Sequence, residues 1–283
     1  MPERIFILLQ YLTPHYLLTR LIGLLANSQQ PWLKKILITQ FIKRYTVNLS
    51  EAINENPNDY PSFNEFFIRQ LKPNARVISK EAFEIACPVD GTISQIGTIQ
   101  AHHLLQAKHY HYTLEELLGH DKQLAYHFYN GVYATLYLAP HNYHRVHMPL
   151  SGQLEQTIYV PGKLFSVNPI TTESIPNLFS RNERLITIFH THAGKMAVIL
   201  IGAMIVGNIQ TVWQTHPCRE KKIVSKTYHN GITLLKGAEL GYFKLGSTVI
   251  LLYTENKTTW SPSLTTNSIV QLGQRLGNLH KDT

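Results

Sequence analysis

The stretch Gly246-Ser247-Thr248-Val249-Ile250-Leu251-Leu252-Tyr253 is an apolar run of strand length that begins with a glycine-serine pair. Its length and its β-branched residues are typical of a buried β-strand. Similar short runs follow Ile78, at residues 92–99, 131–138, 185–189, 196–206, 209–213 and 232–235. Helical patterns interrupt them at residues 114–118 and 171–178. Because no long helices alternate with these strands, the sequence predicts an α+β fold with a largely antiparallel β core.

The first fifty residues have a different, helical pattern. Their apolar residues between Ile5 and Leu25 are interrupted by Gln10, Pro14, His15 and Arg20. A membrane-spanning helix needs about 20 nearly uninterrupted apolar residues, so we expect none here, and the stretch also lacks the features of a secretory signal. After Pro31, Trp32 and further apolar residues recur at helical spacing among Lys34, Lys35, Lys43 and Arg44. We therefore expect residues 1–53 to form an amphipathic helical arm that binds a membrane surface; packing of its helices on the protein's own core is the alternative.

Composition restricts the class of protein. The 283 residues are 44% hydrophobic and 16% charged, which predicts a folded chain, and the net charge of +8 favours an anionic partner. Charge alone does not distinguish a lipid surface from a nucleic acid, but the basic residues are dispersed and match no nucleic-acid-binding motif. We therefore expect no nucleic-acid partner. The two cysteines, Cys87 and Cys218, have no CxxC spacing, which favours a reducing compartment.

Three segments combine turn-forming residues with groups that can move protons. Asp90 lies in the turn 88–91, His144 and His147 lie in the proline-bracketed segment 140–149, and Ser247 follows Gly246 at the start of the predicted strand. No HExxH helix, cysteine pair or nearby acidic ligand accompanies the histidines, so we expect no metal. Asp90, His147 and Ser247 could instead form a carboxylate-imidazole-hydroxyl relay, although Ser247 lacks the GxSxG elbow of hydrolases.

Taken together, these segments resemble the bacterial, membrane-associated, pyruvoyl-dependent phosphatidylserine decarboxylases, over nearly the whole chain. The matching blocks are residues 63–67 (FNEFF), 88–91 (PVDG), 143–149 (YHRVHMP), 159–162 (YVPG), 164–168 (LFSVN), 182–184 (NER) and 245–248 (LGST). The sequence departs from the family pattern at His109, His141 and Asn142, which affects the expected geometry of these loops.

The resemblance implies that the chain is a self-cleaving zymogen. Ser247 would attack the carbonyl of Gly246 and divide the chain into a β chain of residues 1–246 and an α chain of residues 247–283, with Ser247 becoming a pyruvoyl cofactor. His147 would accept the hydroxyl proton, Asp90 would orient its imidazole, and His144 would donate a proton during turnover or position the headgroup. Residues 60–283 would form the catalytic domain, and no metal would take part.

The same resemblance implies the reaction and the partners. Phosphatidylserine would form a Schiff base with the pyruvoyl group and lose carbon dioxide to give phosphatidylethanolamine, in phospholipid biosynthesis. The two chains would remain associated, an anionic phospholipid membrane would be the partner, and the family suggests a homodimer. We expect a peripheral location on the cytoplasmic face of the inner membrane. The alternative is a lipid serine hydrolase that uses Asp90, His147 and Ser247 without self-cleavage.

Overall fold

The computed structural model describes residues 3–108, 110–204, 209–214, 220–229, 231–243 and 247–280. Long helices are confined to the amino-terminal part of the described chain. The helices are α1 (Glu3–Leu12), α2 (His15–Ala26), α3 (Pro31–Tyr45), α4 (Phe63–Phe67), α5 (Leu114–Leu117), α6 (Lys122–Tyr126), α7 (Pro169–Thr172) and α8 (Leu178–Arg181), with a 3₁₀ turn at Pro57–Asp59.

The remainder of the described chain is dominated by β-strands. The strands are β1 (Glu84–Ala86), β2 (Gly91–Thr98), β3 (His103–Ala107), β4 (Tyr110–Thr113), β5 (Val132–Leu138), β6 (Arg145–His147), β7 (Gly152–Val160), β8 (Arg184–Thr191), β9 (Gly194–Ile201), β10 (Ile209–Thr211), β11 (Val224–Thr227), β12 (Thr233–Leu234), β13 (Glu239–Phe243), β14 (Ser247–Tyr253), β15 (Thr258–Trp260), β16 (Ile269–Val270) and β17 (Arg275–Leu279).

Within the described residues, the main sheet has nine strands in the order β11-β7-β8-β9-β14-β5-β2-β16, with β12 added beside β7. Smaller sheets are β1-β17-β15, β10-β13-β6 and β3-β4. The paired strands of the main sheet are antiparallel. The prediction of an α+β fold with a largely antiparallel core and an amino-terminal helical arm is confirmed.

Strand β14 lies at the centre of the main sheet, between β5 and β9. All seven of its residues are buried, from Ser247 to Tyr253. A strand buried on both faces shows no alternation of apolar and polar residues. This explains the unbroken apolar run that identifies β14 in the sequence.

The strand ends that carry the conspicuous sequence motifs lie next to one another at one end of the strands of the main sheet. Ser247 pairs with Leu138 at the end of β5, and Thr248 pairs with Ile201 at the end of β9. Ile201 also pairs with Arg184 at the start of β8, and Arg184 pairs with Val160 at the end of β7. The loops that leave these strand ends therefore lie on the same side of the sheet as Ser247.

The helical arm has both a packed and an exposed face. In α3, Ile38 is fully buried and Phe41 packs on the rings of α4, whereas Trp32 is 64% exposed. In α1 and α2 most apolar side chains are exposed, among them Leu12 at 69% and Leu24 at 65%. Helix α3 therefore packs on the protein's own core, whereas α1 and α2 present an apolar surface, and membrane binding by the arm stays a prediction.

Among the described residues, no single helix is long and apolar enough to cross a membrane. Helices α1 and α2 reach the necessary length and composition only together, and they meet at an angle of 93°. The break falls at Thr13 and Pro14, as expected from a proline that cannot donate a backbone hydrogen bond.

Two predicted elements differ from the structure. Strand β9 ends at Ile201, so the predicted strand over residues 196–206 is too long, although residues 205 and 206 lie outside the described part. The predicted helix over residues 171–178 is wrong, because the segment contains the end of α7 and the start of α8. Asn168 caps α7, and Asn177, with a left-handed φ of 54°, separates the two helices.

Candidate active site

Ser247 is the first residue of β14, and its side chain is fully buried. Its Oγ has no hydrogen-bond partner among the described residues. Burial of a hydroxyl without a partner costs roughly 1–3 kcal/mol, so such a group calls for an explanation, and a catalytic role is one. Gly246, the predicted partner in cleavage, lies outside the described residues.

His144 follows the end of β5 and is fully buried. Its Nδ1 lies 2.8 Å from the carbonyl oxygen of Asn142, and since a carbonyl can only accept, Nδ1 carries the proton. Burial lowers the pKa of His144 to about 3, so the ring is neutral at pH 7. Its Nε2 has no hydrogen-bond partner in the described part of the chain, and the Phe67 ring lies 4.0 Å from the His144 ring, centroid to centroid. His144 therefore presents a desolvated, unoccupied basic nitrogen.

His147, at the end of β6, has both ring nitrogens occupied. Its Nδ1 donates to the carbonyl oxygen of Gly237 at 2.8 Å, so Nε2 accepts from the Tyr143 hydroxyl at 3.1 Å. Burial lowers the pKa of His147 below its usual value. Tyr143 was not among the predicted site residues; its position four residues before His147 in the same motif was the available signal.

Asp90 contacts a different set of groups from the one we expected. Its carboxylate accepts from Nε and Nη2 of Arg76, at distances of 2.6–3.1 Å, and from the Leu272 amide at 2.9 Å. Of the hydrogen bonds among described residues, none joins Asp90 to His147, whose ring is oriented by Gly237 instead. A two-point bond to a guanidinium is strong, which explains why Arg76 captures this carboxylate. The charge of Asp90 still counteracts, as a minor contribution, the lowering of the His147 pKa by burial.

Backbone hydrogen bonds bring the three motif segments together. The His147 amide donates to the carbonyl of Pro88, two residues before Asp90, at 2.9 Å. The Phe243 amide donates to the carbonyl of His144 at 3.1 Å, four residues before Ser247. The segments of the predicted relay thus converge, although its side chains do not form a continuous hydrogen-bonded chain in the described structure.

Arg69 is a further buried cation at this site that the sequence analysis did not identify. Its Nη2 donates to the carbonyl oxygens of His141, at 2.9 Å, and Asn142, at 3.3 Å. The second of these also accepts from His144, so the two side chains meet at one atom. Nε and Nη1 of Arg69 are buried without partners. An anionic group that approached His144 would find free guanidinium donors beside it.

The described residues contain no group of three or more His, Cys, Asp and Glu side chains placed to hold a metal ion. The implied organic cofactor is a different case, because its precursor would be Ser247 itself. The buried, unpartnered Oγ of Ser247 fits that assignment.

Comparison with known proteins places the chain among relatives of the same length. A family model described as phosphatidylserine decarboxylase matches residues 63–278, and a second, described as PSD, matches residues 5–46. A phosphatidylserine decarboxylase proenzyme from Ectopseudomonas mendocina is 50% identical over 285 residues, covering 98% of this chain and 99% of the relative. Proteins of the same name from Pseudomonas putida and Alcanivorax borkumensis are 48% and 49% identical, covering 98% and 97% of this chain and 98% and 96% of the relatives. The chain belongs to the phosphatidylserine decarboxylase family.

Proposed function

We propose that this chain converts phosphatidylserine to phosphatidylethanolamine with a pyruvoyl group made from its own Ser247. The observation that carries the proposal is the buried, unpartnered hydroxyl of Ser247 at the start of the central strand, in a chain of this family. The name proenzyme, which the three relatives share, is consistent with a chain that must be processed.

In maturation, Ser247 Oγ attacks the carbonyl carbon of Gly246, and the peptide bond between the two residues breaks as the acyl group moves from nitrogen to oxygen. Elimination of the resulting ester leaves a dehydroalanine, which water converts to the pyruvoyl group with release of ammonia. His147 Nε2 takes the proton of the Ser247 hydroxyl, and the hydrogen bond from the Tyr143 hydroxyl to Nε2 must break first. The products are a β chain of residues 1–246 and an α chain of residues 247–283.

In turnover, the pyruvoyl group supplies an electron sink for the electrons released with carbon dioxide. The neutral His144, whose pKa burial lowers to about 3, can accept a hydrogen bond at Nε2 from the ammonium of the serine headgroup and so position the headgroup for decarboxylation. The free Nε and Nη1 of Arg69 bind an anionic group of the headgroup, for which the serine carboxylate is suited.

The substrate is a membrane lipid, and the arm of residues 1–53 is proposed to bring the catalytic domain, residues 60–283, to the membrane. The exposed leucines of α1 and α2 and the exposed Trp32 support this role, and the net charge of +8 favours an anionic surface. We accordingly propose a peripheral location on the cytoplasmic face of the inner membrane.

The test compares the parent chain with Ser247→Ala, with Thr248→Ser as a matched control in the next residue of β14. The parent and the control should each give two chains on a denaturing gel, with a carbonyl-reactive group on the smaller one. Ser247→Ala should remain a single, inactive chain because it has no hydroxyl. A parent that stays uncleaved and releases fatty acids would support the hydrolase alternative instead. Cleaved, active Ser247→Ala would refute the proposal.

A further inference from the structure

A cavity of about 580 Å³ lies between the helical arm and the catalytic domain, and we call it the arm cavity. Its walls come from the break between α1 and α2, from Lys163 and Phe165 in the segment after β7, and from Arg181 at the end of α8. Gln10 of α1 accepts from the Ser166 amide at 2.9 Å, and the Tyr16 hydroxyl of α2 donates to Gly162. The arm is thus fastened to the domain on both sides of the cavity.

The arm cavity carries two cations without a carboxylate partner among the described residues. Lys163 is exposed and forms no ion pair there. Arg181 lies over the Phe165 ring, 4.9 Å from its centroid, and its Nη1 makes a 3.3 Å hydrogen bond to the Pro176 carbonyl. An acidic group, the buried Glu183, lies close to this region: burial of Tyr16 raises the pKa of its hydroxyl, and the charge of Glu183 raises it further. Lys163 is exposed and Arg181 is partly buried, and a cleft lined by cations raises the local concentration of anions.

His15 adds an unsatisfied polar atom to the cavity wall. The side chain is 6% exposed, it packs edge-on against Phe165 at 5.3 Å between ring centroids, and its Nε2 has no hydrogen-bond partner. His15 is also the first residue of α2, a twelve-residue helix without a side-chain cap at its amino end. Uncapped amides in the first turn of a helix bind anions, whereas Nε2, which is the acceptor nitrogen of a neutral imidazole, would not bond to one.

The residues around the arm cavity indicate that the anionic group belongs to a lipid. Leu17, in the cavity wall, is 57% exposed, and Leu21 and Leu24, further along α2, are 51% and 65% exposed. The segment after β7 and α8 also adjoin the sheet edge at which Ser247 begins β14. A lipid with its headgroup in this cavity could keep its acyl chains along the apolar surface of α2.

We propose that the arm cavity binds the phosphate-bearing headgroup of an anionic phospholipid, through Lys163, Arg181 and the first turn of α2. Ser247 is not among the residues that line the arm cavity, and the site holds a lipid at the junction of the arm and the domain. That this site lies at a membrane rests on the proposed function, in which the arm contacts the bilayer. Binding of the headgroup to the arm cavity does not itself require a bilayer.

The test uses the full chain with Ser247→Ala, which keeps one covalent form, and a second substitution set, Lys163→Gln with Arg181→Gln. Glutamine preserves much of each side chain and removes its charge. The matched control is Lys122→Gln with Lys221→Gln, which removes the same charge from two exposed lysines outside the cavity. Isothermal titration with dihexanoylphosphatidylglycerol below its micelle concentration measures headgroup binding without a membrane.

We expect the cavity variant to bind this lipid at least about tenfold more weakly than the parent, since two charge-assisted contacts are lost, while the control binds normally. Equal binding by parent and cavity variant, or equal loss in the control, would overturn the proposal. Inorganic phosphate is titrated in parallel, and saturation by phosphate at the same affinity would identify free phosphate as the ligand and overturn the lipid assignment. Pelleting of the parent with vesicles that contain phosphatidylglycerol separately tests the arm, and its failure would refute only the proposed membrane role.

Discussion

The ion pair between Arg76 and Asp90 gives the sharpest prediction about the stability of the site. Both side chains are about nine-tenths buried, with exposed fractions of 10% and 9%, and Nη2 of Arg76 lies 2.6 Å from one carboxylate oxygen. In Arg76→Gln the Asp90 carboxylate keeps its hydrogen bond from the Leu272 amide but loses its ion pair with the guanidinium. Removal of one partner from a buried pair costs about 3–5 kcal/mol of unfolding free energy. We expect the lower end, about 3 kcal/mol, because a neutral glutamine can still donate one hydrogen bond.

The assay is thermal unfolding in the Ser247→Ala background, so that all samples are single chains. For a chain of this size about 3 kcal/mol corresponds to a fall in Tm of about 6 °C. Glu51→Gln is the control, since Glu51 is 38% exposed and bonds the same guanidinium from outside, so it should cost less than about 1 kcal/mol. The double variant Arg76→Gln, Asp90→Asn should be less destabilised than the sum of its parts. A Tm within about 1 °C of the parent for Arg76→Gln would refute this account.

Three further predictions concern the two histidines and the arm. His144→Gln should still yield two chains but should decarboxylate about 10²–10⁴-fold more slowly, because the acceptor nitrogen is lost; an uncleaved product on a gel would contradict the assigned role. Burial lowers the pKa of His147 below its ordinary 6.5, so the imidazole becomes protonated only at a pH below that value. Self-cleavage followed from about pH 8 to about pH 5 should therefore decline only below 6.5, and an inflection above 6.5 would exclude His147 as the base. Ile38→Ala should lower the free energy of unfolding, measured in urea, by about 2–5 kcal/mol because Ile38 is fully buried. The exposed Trp32 should matter less for stability, so Trp32→Ala should lower it by less than about 0.5 kcal/mol but weaken vesicle binding. Equal destabilisation by the two substitutions would contradict the packing described for α3.

Sequence patterns predicted the elements whose environment is uniform along the chain. Strand β14 was evident because it is buried on both faces, and the arm was evident from its helical spacing. Strand β7 was not identified, since Gln153, Glu155 and Gln156 dilute its apolar pattern and a bulge between Leu154 and Gln156 shifts its register. A bulge changes which face a side chain occupies, so the alternation on which strand prediction depends is lost.

The sequence indicated candidate site residues, whose roles stay predictions, but it did not indicate their contacts. Asp90, His144, His147 and Ser247 stand out in the sequence because each lies in a turn or a proline- or glycine-bounded segment. The capture of Asp90 by Arg76 could not be anticipated, because these residues are 14 positions apart with no local pattern to pair them. Arg69 escaped notice for the same reason, since its role depends on a loop more than seventy residues away.

The central position of β14 has a consequence for the identity of the mature molecule. The segment from Ser247 onward supplies β14 to the middle of the main sheet, β16 to its far end, and β15 and β17 to a second sheet with β1. A cut before Ser247 would leave a fragment that is interleaved with its partner rather than docked against it, because β14 forms ladders with both β5 and β9. Such a fragment could not exchange between molecules without unfolding the sheet, so each processed molecule would retain the two pieces of a single translated chain. Mixed isotopically labelled and unlabelled populations would therefore yield no hybrids in native mass spectra.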